Sequence, residues 1–209
     1  MSDISVTEAI VRSGVVAVLR APTADAFAAI GDVLVEAGIT ALEVTLTSRG
    51  SLEALAGLRR QLPASVAVGA GTVLSLDDAK ASVDAGATYL VSPVYVPALD
   101  GFEVPVYPGA FTPTEIFNAS RSGAQLVKLF PAGTVGPRYL KDLHGPLPGV
   151  RIMPTGGIDI ADIATWLTAG AAAVGLGSPL IGDAASGGSL AQLAVRARRA
   201  ADAVAFARS

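Results

Sequence analysis

Eight short runs rich in β-branched residues alternate with alanine-rich segments, and this alternation constrains the fold more than any other feature. The runs are Val15 to Arg20, Ala41 to Thr47, Val66 to Ala70, Tyr89 to Ser92, Val104 to Tyr107, Leu126 to Phe130, Arg151 to Pro154 and Ala173 to Gly177. Short apolar runs bounded by turn residues read as buried strands. The segments between them read as helices: Ala24 to Ala37, Ser51 to Gln61, Leu76 to Ala85, Thr114 to Ser122, Arg138 to Asp142 and Ile160 to Ala169. A short helix over Val6 to Arg12 leads the chain and a long one over Leu190 to Ala207 closes it. Eight strand–helix units in 209 residues predict an α/β fold, a single (β/α)8 TIM barrel domain spanning 1-209. The fourth unit is short of residues. Only the ten residues Val94 to Glu103, with Pro97 and Gly101 among them, lie between Pro93 and strand five. A mean helix needs ~11–12 residues, so the fourth helix is shortened or lost.

Composition removes whole classes of function. Net charge is −3, which offers nothing to nucleic acid or an anionic membrane. Cysteine is absent and His144 is the only histidine, so thiolate zinc sites, disulfides and multi-histidine metal clusters are out of reach. Residues Met1 to Val6 carry Asp3 and show no basic segment leading into an apolar one, so no signal peptide is expected. With no 18-residue apolar run, no membrane span is expected either. A cytoplasmic protein acting on a small molecule is the default expectation.

The sixth run, Leu126-Val127-Lys128-Leu129-Phe130-Pro131, places one lysine in apolar surroundings. Lysine is rarely buried unless it is paired or used. Burial disfavours the ammonium form, and a neutral amine is a nucleophile whose usual partner is a carbonyl, through a Schiff base. The plainer alternative is a strand-end lysine snorkelling to water. In the second run, Leu42, Val44 and Leu46 share one face, while Ala41, Glu43, Thr45 and Thr47 share the other. The outer face of a barrel meets helices, so Glu43 turns inward. The same parity puts Leu126, Lys128 and Phe130 on one face. If that face is also inward, Glu43 and Lys128 share the cavity. They form either a plain buried ion pair or a reactive pair at the C-terminal strand ends, where barrel active sites lie.

Glycine-rich turns follow the last two strands. Pro154-Thr155-Gly156-Gly157-Ile158-Asp159 opens one helix, and Gly175-Leu176-Gly177-Ser178-Pro179 follows strand eight. Such loops either make tight turns or hold a phosphate with backbone N–H groups. Gly69-Ala70-Gly71-Thr72 is a weaker signal, lacking the third glycine of a dinucleotide fingerprint. Arg20, at the end of strand one, is either a solvated end charge or an anion clamp. It shares a face with Val16 and Val18; a buried arginine there needs an anion, either the substrate or Glu43. His144 reads as a surface loop residue and Trp166 as helix packing.

Together these stretches resemble the class I 2-keto-3-deoxy-6-phosphogluconate (KDPG) and 4-hydroxy-2-oxoglutarate (KHG) aldolases. The resemblance rests on Leu42-Glu43-Val44-Thr45-Leu46, Gly69-Ala70-Gly71-Thr72-Val73, Ser92-Pro93, Pro108-Gly109, Val127 to Ala132 and Pro154 to Ile158, in order. It implies a Schiff-base lyase without metal or cofactor, usually a homotrimer. It implies that Lys128 bonds the keto carbon, Glu43 relays protons and Thr72 holds the pyruvate carboxylate. Pro93 and Phe130 line the pocket, Thr155 meets substrate hydroxyls, and Gly156, Gly157, Gly177 and Ser178 hold the phosphate. The substrate expected is KDPG, cleaved to pyruvate and glyceraldehyde 3-phosphate, with KHG as a second. Two alternatives stand: a galactonate-type or unphosphorylated acid, and a non-catalytic sugar-phosphate binding barrel. Some relatives carry an arginine where Thr47 stands; Arg20, which matches a different arginine of the family, is the candidate to bind the carboxylate in its place, and Arg49 a weaker substitute.

Overall fold

The computed structural model describes residues 5–209, so the expectation about a leader in the first residues lies mostly outside the described residues. Among the described residues, nine strands form two parallel sheets. They are β1 (Val15–Leu19), β2 (Ala41–Thr45), β3 (Ala67–Gly71), β4 (Leu90–Val91), β5 (Val106–Tyr107), β6 (Gly109–Ala110), β7 (Val127–Leu129), β8 (Ile152–Pro154) and β9 (Val174–Leu176). One sheet runs β5-β4-β3-β2-β1-β9 and the other β6-β7-β8. The α-helices are α1 (Val6–Ser13), α2 (Phe27–Glu36), α3 (Ser51–Gln61), α4 (Leu76–Asp84), α5 (Pro113–Arg121), α6 (Gly136–His144), α7 (Ile163–Thr168), α8 (Ser178–Ile181) and α9 (Leu190–Arg208).

Local chemistry sets several helix starts. Ser75, Thr112 and Ser189 each accept a backbone N–H of the first turn, at α4, α5 and α9. At α5, Thr112 and Glu115 form a reciprocal capping box with Pro113 in the first turn. Each such cap is worth about 1 kcal/mol.

Four expectations need correction. The fifth strand does not start at Val104 or stop at Tyr107. It starts at Val106, breaks at Pro108 and resumes at Gly109–Ala110. Proline has no N–H to donate, but the Pro108 carbonyl still accepts from Lys128 N at 2.9 Å. The helix expected from Ala24 begins at Phe27, and the one expected from Ile160 opens with a 3-10 turn over Ile160–Asp162. After β9, the turn expected at Ser178 is one helical turn, α8. The fourth helix is lost, as the residue count requires: only a 3-10 turn, Pro97–Leu99, stands there. An outer cavity of about 270 Å³ opens beside it, lined by Tyr95, Phe102 and Gln125 among others.

Strand parity divides the core. Val15, Ala17, Leu19, Leu42, Val44, Val68, Val127 and Leu129 face the helices in the large cluster. Val16, Ala41, Ala67, Tyr89, Tyr107, Leu126 and Met153 form a smaller inner cluster between the strands. The Tyr89 and Tyr107 rings meet at 5.6 Å, a tilted pairing worth about 0.5–1.5 kcal/mol beyond area burial. Helix α1 covers the strand N-terminal ends. It inserts Ile10 into the inner cluster, Thr7 hydrogen-bonds the Tyr107 hydroxyl at 2.9 Å, and Glu8 pairs with Arg151 at 2.8 Å. The N-terminal end is thereby plugged, and the opposite end is left to form the site. No helix among the described residues is long and apolar enough to cross a membrane.

Candidate active site

Lys128 lies in the middle of β7 and Glu43 in the middle of β2, and both side chains point to the inner face. Lys128 Nζ stands 3.6 Å from Glu43 Oε1, with side-chain exposures of 4% and 0%. At that distance the contact is an ion pair rather than a hydrogen bond. Neither Glu43 oxygen has a hydrogen-bond partner among the described residues. A carboxylate buried this way is expensive to keep charged without its cation. Among the described residues the lysine is the group that balances it. Phe130 adds its ring face, 5.4 Å from Lys128 Nζ.

Space for the carboxylate comes from β3. A Cβ on Gly71 would overlap the Glu43 carboxyl group, and one on Gly69 would sit 2.6 Å from the Tyr89 ring. Two inward glycines thus make room for an acid above and a ring below. Burial, reinforced by the Glu43 charge, pushes the Tyr89 phenol well above its usual range. Its proton is already donated to the Leu42 carbonyl at 2.7 Å. Burial pushes Tyr107 up to about 12, although Thr7 and Arg151 draw it the other way. Both phenols favour their protonated forms.

Lys128 opens onto a cavity of about 210 Å³ at the C-terminal ends of β1, β7, β8 and β9. Arg20, Phe130, Thr155, Gly156, Gly157, Gly177 and Ser178 line it, so most of the expected site residues meet there. Glu43 is absent from that lining and lies behind the lysine. Pro93 lines a different cavity, of about 460 Å³, which shares Phe130 as a common wall. Thr72 lines neither cavity, but its Oγ1 accepts from Arg20 Nη2 at 3.4 Å. Thr72 has φ of 63°, the only non-glycine in the left-handed region among the described residues. Such a conformation costs about 1–3 kcal/mol and is found where a site demands it.

Arg20 departs from expectation. It is exposed and makes no ion pair with Glu43, because it follows the last residue of β1 and rises to the cavity mouth. Parity gives its face but not its height. Thr47 is exposed and donates to Thr45 Oγ1 at 3.2 Å. Arg49 acts through its backbone, donating to Pro22 and accepting from Ala24, which ties the loops after β1 and β2. His144 ends α6 instead of sitting in a loop, and its Nε2 meets the Val150 carbonyl at 3.2 Å. Trp166 is core. Sequence reasoning missed Gly71 as the residue that clears space for Glu43. Parity applied to β3 puts Gly71 on the inner face with Gly69, but the register, which pairs Gly69 with Glu43 and Gly71 with Thr45, is not a local pattern. Among the described residues, no cluster of three or more histidine or acidic side chains converges as a metal site.

Residues 6–193 match the model of a protein family described as KDPG and KHG aldolase. A probable 2-dehydro-3-deoxy-6-phosphogalactonate aldolase of Rhizobium meliloti is 32% identical over 194 residues, covering 90% of this chain and 92% of the relative. A 2-dehydro-3-deoxy-phosphogluconate aldolase of Pseudomonas aeruginosa is 40% identical over 141 residues, 65% of this chain and 64% of the relative. Among solved structures, the KDPG aldolase of Legionella pneumophila, with pyruvate captured as a covalent carbinolamine, superposes with a TM-score of 0.85 at 27% identity. That match covers 93% of this chain and 97% of the other.

Proposed function

Because the chain belongs to the KDPG and KHG aldolase family, as a class I Schiff-base lyase, we propose that it cleaves 2-keto-3-deoxy-6-phosphogluconate to pyruvate and glyceraldehyde 3-phosphate. A second activity on 4-hydroxy-2-oxoglutarate, giving pyruvate and glyoxylate, is part of the same reading. The carrying observation is the buried Lys128–Glu43 pair at 3.6 Å, whose lysine lines a cavity together with glycines and Ser178. The galactonate-type acid is a second reading, favoured by the relative from Rhizobium meliloti. The two acids differ at C4. Pyruvate release measured over both, together with 4-hydroxy-2-oxoglutarate, decides between them. Release from none of the three would overturn the reading and leave a binding barrel.

In this mechanism Lys128 Nζ adds to the C2 carbonyl, and loss of water leaves an iminium, which is an electron sink. Removal of the C4 hydroxyl proton breaks the C3–C4 bond, and the electron pair enters the iminium to give an enamine. The aldehyde leaves, C3 takes a proton, and hydrolysis frees pyruvate and Lys128. Glu43 carries these protons, directly or through water. Thr72 and Arg20 hold the carboxylate, Pro93 and Phe130 flank the reacting carbons, and Thr155 meets the hydroxyls. Gly156, Gly157, Gly177 and Ser178 hold the phosphate.

We further read the two sheets as one eight-stranded (β/α)8 barrel and the whole chain as one domain. Two observations support closure. β5 and β6 are separated by Pro108 alone, and Thr155 bridges to Gly175 between β8 and β9. A homotrimer in the cytoplasm completes this reading, and light scattering tests the trimer.

Two consequences can be measured. Arg20→Ala should raise KM for every 2-keto acid, phosphorylated or not, since the carboxylate is common to all. Loss of a charge-assisted hydrogen bond of roughly 1.5–3 kcal/mol corresponds to about 10–150-fold. Arg49→Ala should do little; the reverse ranking would move the anchor to the loop after β2. Ser178→Asp puts a like charge against the phosphate. Unit charges about 4 Å apart near a surface repel by up to about 4 kcal/mol, so kcat/KM for the phosphorylated acid should fall roughly tenfold or more. The loss on 4-hydroxy-2-oxoglutarate should be much smaller. Equal losses would make these turns structural.

A further inference from the structure

The wall of the cavity farthest along the chain is the segment 177–182, of which Gly177, Ser178, Ile181 and Gly182 face the open space. Its helical part, α8, has only four residues. One turn of helix fixes more dihedral angles than its hydrogen bonds repay, so it does not hold its own shape. Within it, Leu180 N and Ile181 N both donate to the Gly177 carbonyl, and Gly182 N donates to the Ser178 carbonyl. The carbonyls of Leu180 and Ile181 are then left without partners inside the turn.

Arg196 supplies them. From the long helix α9 its Nε donates to the Leu180 carbonyl and its Nη2 to the Ile181 carbonyl, each at 2.8 Å. The planar guanidinium fixes both oxygens in one geometry, as an ammonium cannot. Its base is rigid, because Leu193, Ala197 and Ala200 of the same helix are fully buried. Room for the guanidinium exists because position 182 is glycine. A Cβ there would lie 2.5 Å from Arg196 Nη2, and φ of 58° already disfavours a side chain. Arg196 does not line the cavity. It acts on the far side of the segment whose near side does.

We propose that Arg196 is a positioning residue for the phosphate end of the substrate, clamping α8 so that Gly177 and Ser178 stay in register with the glycines after β8. This rests on the phosphate reading of that cavity. Arg59 offers the natural control. Its Nη1 also donates to a backbone carbonyl, Val66 at 3.0 Å, but just ahead of β3, at the strand end away from the site.

The test compares wild type, Arg196→Gln, Arg196→Lys and Arg59→Gln on KDPG and on 4-hydroxy-2-oxoglutarate, with inorganic phosphate as inhibitor. Arg196→Gln should raise KM for KDPG and the inhibition constant of phosphate about tenfold, the scale of a small misplacement of binding groups. Its kcat, and both constants for 4-hydroxy-2-oxoglutarate, should stay within about twofold. Arg196→Lys, which keeps the charge and one hydrogen bond, should fall between, and it carries the test if the glutamine variant does not fold. Arg59→Gln should lose comparable melting temperature and change neither KM. Equal effects on both substrates, or a KDPG effect matched by Arg59→Gln, would overturn the proposal. If wild type itself ignores phosphate and shows no preference for the phosphorylated acid, the phosphate reading falls and takes this proposal with it. If wild type prefers phosphate and both Arg196 variants are silent, only the clamp falls.

Discussion

Incubation with pyruvate and borohydride should inactivate the enzyme irreversibly and leave a reduced pyruvyl mass on the peptide containing Lys128. Only two other lysines are present, Lys80 and Lys141, and both are exposed on helices. Modification at either of them, with Lys128 unmodified, would contradict the assignment. Lys128→Ala should lower kcat by about 10⁵-fold or more, on the scale of removing a covalent nucleophile. That variant needs care. Removing one partner of a buried pair leaves an uncompensated charge and costs about 3–5 kcal/mol, against a typical total stability of about 5–15 kcal/mol. Inactivity of Lys128→Ala alone would therefore not separate lost chemistry from lost fold. Trapping on the wild-type enzyme makes that separation, because borohydride reduces only an imine that has formed. A Lys128→Arg variant that melts near wild type yet neither turns over nor traps would add the same conclusion from the folded state.

How much of this was legible beforehand follows from the range of the forces involved. The inward direction of Glu43 and Lys128 is a local fact, set by alternation along each strand, and the sequence carries it in Leu42, Val44, Val127 and Leu129. Their 3.6 Å separation joins residues 85 positions apart, and no local pattern encodes it. The loss of the fourth helix was legible because residue count and Pro97 suffice. The shape of the fifth strand was not. Pro108 marks the end of N–H donation, but continued pairing through its carbonyl depends on the neighbouring Lys128 backbone. Helix α8 was hidden for a similar reason. Gly177-Ser178-Pro179 satisfies turn chemistry, and the last carbonyls of the helical turn are met by an arginine 15 and 16 positions later. Arg20 shows the limit of parity itself, which chooses a face but not a depth. One residue past Leu19, the strand has ended and the side chain reaches water.

Glu43→Gln should reduce kcat by ~10²–10⁴-fold, the usual range for losing a general acid–base group, while KM changes little. The side chain keeps its size, so it still fits the space cleared by Gly71. It loses the charge that balances Lys128 and the ability to take up and return a proton. Three proton movements should suffer together: loss of water from the carbinolamine, deprotonation of the C4 hydroxyl and protonation of the enamine. The last can be read without cleavage. Exchange of the pyruvate methyl protons with deuterated water requires only imine and enamine, so it should slow in parallel with turnover. Slow trapping by borohydride should survive, because the amine remains. This pattern distinguishes a proton carrier from a residue that only holds Lys128 in place, whose loss would reduce trapping as much as turnover. Tyr89 cannot take over, since its proton is committed to the Leu42 carbonyl and its phenol is pushed well above the usual range. A Glu43→Gln enzyme within a factor of about two of wild type in both cleavage and exchange would remove Glu43 from the mechanism and leave the pair as a structural contact.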